Sequence, residues 1–511
     1  MNTRRSFLRV ALAGSFASAI RPAATSGAGT GFPAGARDAA SPRPLDLNAV
    51  HKGGVEIDRR ILELSSPPPN VRAFFAEVRP LFETGLKAAF AELPALGEAA
   101  ERHGLPLLGG PMLGALAHDG ARVWVRTTRP ALVEVSVDTA DGERRFGPVA
   151  STVASDLAAV VLVNGLAPAT RYPYRVLVDG RPVPVPDGAA IVTPSAPGQP
   201  GRLIIAFGSC FHKTGLGNRA LLDRMRLRGV SAVLLLGDSA VDDRDNRVGL
   251  HRSDYLLRDL HAGWRDLAAG AAIYAVWDDH DYFNNDKAGV PPGFAAADRD
   301  AVRTVWMQNW NNPAYGFVDR GVGIFFRTRV GPCDLIMLDT RSLRTRPGDP
   351  DAFLGAEQAR WLERELSACN GPFVILTSGT MWSDNVSAGK DSWGVWNPAG
   401  RERLFALVER LRLPVLLLSG DRHGARVVQI PRPSGHVFWE FEAASLGAHP
   451  GPPAFGKPKE RQPFGAVGEA LYGEIEINSA AADPAATVRI LDASGHVRWG
   501  TVLTRIGLTP P

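Results

Sequence analysis

An α/β protein with a β-sandwich ahead of its main sheets is the fold class that the sequence predicts, and three observations carry it. Beyond residue 200, five apolar runs, LIIAFGSC, AVLLLGD, AIYAVWDDHD, FVILTSG and VLLLSGDRH, each end in polar residues. Buried strands of an α/β sheet read this way, and ligands collect at their C-terminal tips. Stretches at helical spacing, such as GNRALLDRMRLRG and GAEQARWLERELSAC, alternate with these runs, as layered α/β folds require. Between 106 and 196 the character differs: ARVWVRT and LVEVSVD alternate apolar with polar residues, the pattern of short half-buried strands in a sandwich.

In chain order, NTRRSFLRVALAGSFASA joins the pair Arg4 and Arg5 to a mildly apolar stretch and a small-residue ASA at 17–19. This resembles a twin-arginine signal, so residues 1–25 are expected to engage the Tat export machinery and the mature protein to be periplasmic or secreted. Its apolar core is too short for a permanent span, and no later run approaches the roughly 20 apolar residues needed, so no stable membrane insertion is expected. Residues 26–105 follow as a linker and helical segment, Ala/Gly/Pro/Ser-rich up to about 45 and helix-spaced from about 55. The sandwich over 106–196 contains LAPATRYPY, in which Leu166 and Tyr172 resemble the strand-corner brace of fibronectin type III modules. PSAPGQPG is the linker to the α/β region over 200–511. That region ends in YGEIEIN and TVRILDASGHVRWGTVLT, closing antiparallel strands with a hairpin at DASG.

Composition narrows the function. With 511 residues, 45% hydrophobic and 22% charged, the chain can bury a large core divided among domains. The net charge is +4, and the arginines are dispersed without a Lys/Arg block or an aromatic-interleaved basic stripe, so nucleic acid enters only as a substrate. Three cysteines, Cys210, Cys333 and Cys369, are too few for a disulfide framework. Cys333 and Cys369 could pair or could both be small core residues.

Chemistry gathers at the strand tips: Cys210, Asp238, Asp278, Asp279, His280, Asp281, Asn285, Asp421 and His423. A centre of two adjacent cations needs hard oxygen ligands, one of them bridging, with nitrogen or sulfur ligands to distinguish the ions. Asp238, directly after the apolar AVLLLG, is the bridging candidate; Asp421 and His423, two apart on an extended segment, can face one way and serve different ions. Each residue alone has a plainer reading: a capping aspartate, a core cysteine, a hydrogen-bonded histidine. Their joint occurrence in order favours the metal centre.

FGSC at 207–210, LGD at 236–238, WDDHD at 277–281 with ND at 285–286, LDTRSLR at 338–344, DSWGVW at 391–396 and LLSGDRHGA at 417–425 together resemble the PhoD-like alkaline phosphatases of the calcineurin-like metallophosphoesterases. The resemblance implies an αββα sandwich with metals at one edge activating water against phosphorus. The implied function is that of an exported alkaline phosphatase or phosphodiesterase acting on small-molecule phosphate esters. It places Asp279 and Asn285 among the metal ligands and makes His280 the proton donor to the leaving alkoxide. Arg341 and Lys287 are candidates for holding the substrate phosphate. Where the family carries a tyrosine that ligates ferric iron, this chain has Val241. Asp242 or Asp243 could move in, or another metal could be used, so the ions remain open among iron, zinc and calcium. Cys210 and His212, one residue apart, match the Asp-x-His of related phosphoesterases. They would form a first site with Asp238 and His423 if the strand end is extended. The alternative function is a non-catalytic or altered-metal scaffold used for binding at the cell surface.

Overall fold

The computed structural model describes residues 45–386, 392–456 and 461–511. The expected export signal over 1–25, with Arg4 and Arg5, lies outside the described residues.

All five apolar runs form strands. Arg202–Gly208, Ala232–Leu236 and Ala272–Val276 pair in parallel within a nine-stranded sheet. Phe373–Thr377 and Val415–Ser419 lie parallel between Cys333–Met337 and Val437–Ala443 in a seven-stranded sheet. Side chains alternate with the strand period of two. Leu335 and Met337 join the core that contains Ile205 and Phe207, whereas Ile336 and Leu338 join a second core with Leu362, Leu366 and Phe405. Those last three belong to the helices Gly355–Ser367 and Pro398–Leu411. The other sheet is covered by Leu221, Met225 and Leu267 of the helices Arg219–Leu227 and Ala262–Ala268. The layers are helix, sheet, sheet, helix. Between the sheets the Trp277 indole donates to Asp339 Oδ1 at 2.9 Å, and the Tyr274 and Phe326 rings lie 6.3 Å apart. Leu471–Asn478, Ala485–Asp492 and Val497–Thr504 close the nine-stranded sheet in antiparallel register, the last two as the expected DASG hairpin.

The region 106–196 departs from the expectation of a self-contained sandwich. Ala131–Thr139, Gly142–Ser151 and Arg171–Val178, with two short strands, do form a separate sheet. Leu107–Ala117, Gly120–Thr127 and Ala158–Val163 instead extend the nine-stranded sheet, Leu113 pairing in parallel with Ala272. The physical reason is in LLGGPMLGALA, buried almost throughout: a strand without a polar face can be internal to a sheet. The strand corner does carry a tyrosine brace, the Ala167 N–H donating to Tyr172 Oη at 3.0 Å. A fibronectin type III identity does not follow from this arrangement. Cys333 and Cys369 are both free thiols.

Upstream, Leu47–Lys52, Val55–Glu63, Pro69–Val78 and Pro94–Arg102 are helices. Buried ion pairs bind the second and third of these to the α/β layers. Asp58 accepts from Arg79 at 2.6 Å and from Lys213 at 2.8 Å; Lys213 also reaches Asp254 at 3.1 Å, which accepts from Arg244 at 2.8 Å. All five side chains are almost fully buried, so removing one partner strands a charge away from water. Lys213→Met is therefore expected to cost about 3–5 kcal/mol of stability, read as a lowered urea midpoint; an unchanged midpoint would show that this network does not hold the helices.

Candidate metal centre

The strand tips turn into the site through backbone that side chains rarely adopt. Cys210 has φ 51°, His212 49°, Asp238 51°, Asp421 75° and His423 39°, all in the left-handed region, where non-glycine residues cluster at functional sites at about 1–3 kcal/mol each. This corrects the extended geometry expected for the Cys210–His212 and Asp421–His423 pairs. The strands end earlier, at Gly208 and Ser419, and tight turns bring the side chains together. Gly237, at φ 106°, precedes Asp238, and a Cβ there would collide with Asp278.

One ligand group comprises Cys210, His212, Asp238 and His423, whose ligand atoms all lie within 4.8 Å of one another. Cys210 Sγ is 3.6 Å from Asp238 Oδ2, and the Nε2 atoms of His212 and His423 face each other at 3.4 Å. His212 Nδ1 is 2.6 Å from Asp242 Oδ1, the carboxylate–imidazole pairing that fixes the tautomer of a metal-binding histidine and aims its other nitrogen. Burial and the neighbouring His212, His449 and His280 lower His423 to about 3, keeping the neutral imidazole that a metal requires. Burial, with Asp238 and Asp421 adding to it, raises the Cys210 thiol, so only a cation would bring out its thiolate.

Asp238 recurs in a second group with Asp279 and His280, and Asp279 recurs in a third with Asp278 and Asp421. Burial pushes Asp238 well above the usual carboxylate range, although His280 opposes this. Its Oδ1 is buried without a hydrogen-bond partner among the described residues. An orphaned carboxylate oxygen inside a protein is costly unless a cation meets it, so the residues present fit metal ions. The sulfur, nitrogen and oxygen donors of the first group suit zinc or ferrous iron; the all-oxygen set of Asp278, Asp279 and Asp421 suits a harder ion. Asp279 is lowered despite its burial, chiefly by Arg341 and His280. His280 is raised despite its burial, because Asp279, Asp238 and Asp243 surround it. Above the centre opens a cavity of about 840 Å³, walled by Lys52, Arg247, His280, Asn285, Arg422 and His423 among others.

The family model described as PhoD-like phosphatase matches residues 242–486. These residues are a PhoD-like phosphatase domain. The protein is accordingly a metal-dependent phosphoester hydrolase. A second family model, a domain of unknown function (DUF7800), matches residues 105–196. Among solved structures, PhoD aligns at 18% identity over 78% of this chain and 92% of its own, with TM-score 0.59. Purple acid phosphatase PPD1 from yellow lupin (Lupinus luteus) seeds aligns at 12% identity over 77% and 74%, with TM-score 0.56. At these identities the likeness is one of fold. No curated protein matches the chain.

Within the PhoD-like domain several expected roles shift. Asp242 and Asp243 are each engaged with a histidine, Asp242 Oδ1 2.6 Å from His212 Nδ1 and Asp243 Oδ1 2.7 Å from His280 Nδ1, and each also falls in a candidate ligand group with His51. Asp281 is turned away, accepting from the backbone N–H groups of Ser239, Ala240 and Val241. Asn285 stands exposed in the cavity wall with its Nδ2 on Asp286 at 2.9 Å, and its backbone N–H, not its carboxamide, donates to Asp243. Arg341 cannot hold substrate phosphate. It is fully buried and forks onto both oxygens of Asp278 at 2.5 and 2.8 Å, making it a brace for the acid cluster. Lys287 is not among the residues that line the cavity.

The sequence reading missed His51, His449 and Arg422. His449 Nε2 lies 2.7 Å from Thr214 Oγ1, and its ring sits 5.4 Å from that of His212. VHKGG and GAHPG carry no metal-ligand spacing, whereas Arg422 lay in view inside SGDRH. Asp238→Ala is expected to abolish metal binding at both positions. Asp242→Ala, which frees His212 and the Lys213 N–H that Asp242 also accepts, should weaken it about 10–100-fold. Elemental analysis and chelator competition on the purified variants check both; full retention by Asp238→Ala would dismiss the shared carboxylate.

Proposed function

We propose that the protein is an exported phosphoesterase of the alkaline phosphatase and phosphodiesterase type, hydrolysing small phosphate esters at a two-cation centre. The observation that carries this reading is Asp238, common to two ligand groups and left with an unpartnered oxygen beneath the open cavity. Bound cations there would supply an activated water and neutralise charge on the phosphoryl oxygens.

The chain's own groups do the rest. His280 borders the cavity with Nδ1 held by Asp243, leaving Nε2 to deliver a proton to the departing alkoxide. The surrounding carboxylates keep that proton in place. Lys52, Arg247 and Arg422 give the wall a positive rim suited to an anionic ester. Arg422 lines the cavity beside Asp421, its Nη1 3.8 Å from Asp421 Oδ2, and so sets positive charge next to the ligand groups. Export is supported by the twin-arginine pattern of residues 1–25 alone.

Metal-loaded protein assayed on an aryl phosphate monoester and the corresponding diester tests the function; no turnover of either would overturn it. His280→Ala should keep its metals and lose about 10²–10⁴-fold in kcat on an alkyl ester, and much less on an aryl ester, whose leaving group needs no proton. Equal losses would remove His280 from the acid role. Arg422→Ala should raise KM with kcat little changed, the mark of lost uniform binding. Replacing Arg4 and Arg5 together by lysine should hold the precursor in the cytoplasm, since the export receptor reads the arginine pair; normal appearance outside would refute export by this route.

A further inference from the structure

His51 belongs to the helix Leu47–Lys52, far upstream of the residues matched by the PhoD-like family model. It nonetheless reaches the centre. Its Nδ1 is 3.5 Å from Asp243 Oδ2 and its Nε2 3.8 Å from Asp242 Oδ1; its ring lies 4.4 Å from that of His280 and 5.2 Å from that of His212. The side chain is only 16% exposed. Asp242 and Asp243 are the two carboxylates that orient His212 and His280, so one imidazole from outside the PhoD-like domain touches both orienting groups.

The helix is held from behind. Arg244, next to Asp243 in the chain, donates to the His51 carbonyl at 2.8 Å. Gly53, at φ 67°, lies so close to the same guanidinium that a Cβ would displace it. Lys213, next to His212, ties Asp58 of the following helix to Asp254, on which Arg244 also rests. The turns that carry the two histidine–carboxylate pairs are thus the turns to which the upstream helices are bonded.

We propose that His51 is a positioning residue for the phosphoester hydrolysis: it pins the second oxygen of Asp243 and so fixes the imidazole that Asp243 orients, His280. The carboxylate's oxygens are divided, Oδ1 on His280 and Oδ2 facing His51. A carboxylate held at one oxygen only is free to turn and would carry the His280 ring with it. The inference rests on His280 being the proton donor.

The test uses metal-loaded full-length protein. His51→Phe keeps the ring and removes its nitrogens. It is expected to retain both metals and KM, to lose about tenfold in kcat on an alkyl phosphate, as loss of an orienting partner does, and to change little on an aryl phosphate. His51→Gln, which restores a donor towards Asp243, should recover most of that loss. Should His51→Phe fail to fold, His51→Asn, too short to reach Asp243, is expected to show the same split. Wild-type kcat on the alkyl ester, equal losses on both esters, or no recovery in His51→Gln would overturn the proposal. If His280→Ala itself shows no difference between the esters, the acid assignment falls and the role of His51 falls with it. If His280→Ala shows the difference and His51→Phe does not, only the role of His51 falls.

Discussion

Burying negative charge where two sheets meet is the constraint on which the rest of the site depends. Asp238, Asp278, Asp279 and Asp281 are all almost fully buried within a short stretch of space, and each must be answered by positive charge or donated hydrogens. Arg341 answers Asp278, three backbone N–H groups answer Asp281, and the Asp286 and His280 N–H groups answer Asp279. Asp238 keeps an oxygen unanswered. The fold thus braces the other three with donated hydrogens and leaves an oxygen open on the acid that the first two ligand groups share.

The same logic runs outward through the histidines. His212 and His280 each present one nitrogen to the centre and one to a carboxylate, Asp242 and Asp243 respectively. Adjacent residues in one turn therefore orient imidazoles with different tasks, one aimed at a metal position and one at the leaving group. Left-handed backbone at Asp243 lets neighbouring side chains diverge in this way.

Much of this was legible in the sequence because it is written in two local signals, an apolar run and the polar residues that end it. Those signals locate Cys210, Asp238, Asp279, Asp421 and His423 at the tips of four strands, and the family resemblance supplies the layering. Partnership was not legible. Nothing in DSAVDDR distinguishes a carboxylate that binds metal from one that orients a histidine, and nothing in LDTRSLR reveals that Arg341 faces Asp278 rather than substrate. Alternation also misled for residues 209–212 and 421–423, where left-handed turns replace the strand period. His51 lay beyond any local pattern, since its neighbours in space come from residues some 160 to 230 positions further along.

The continuation of Leu107–Ala117 beside Ala272–Val276 bears on how the chain can be cut. An interior strand exposed at a sheet's border presents unpaired N–H and C=O groups to any passing strand and templates aggregation. Ala272–Val276 is wholly apolar in packing and carries no lysine, proline or bulge to blunt such an edge. The upstream strands are thus a selvedge stitched to the catalytic sheet at Leu113 and Ala272, while further along the Asn312 side chain already binds off the Ala275 N–H and C=O. A cut at residues 105–196 would bare this border at Ala272 and not along the whole strand that delivers Asp278, Asp279 and His280.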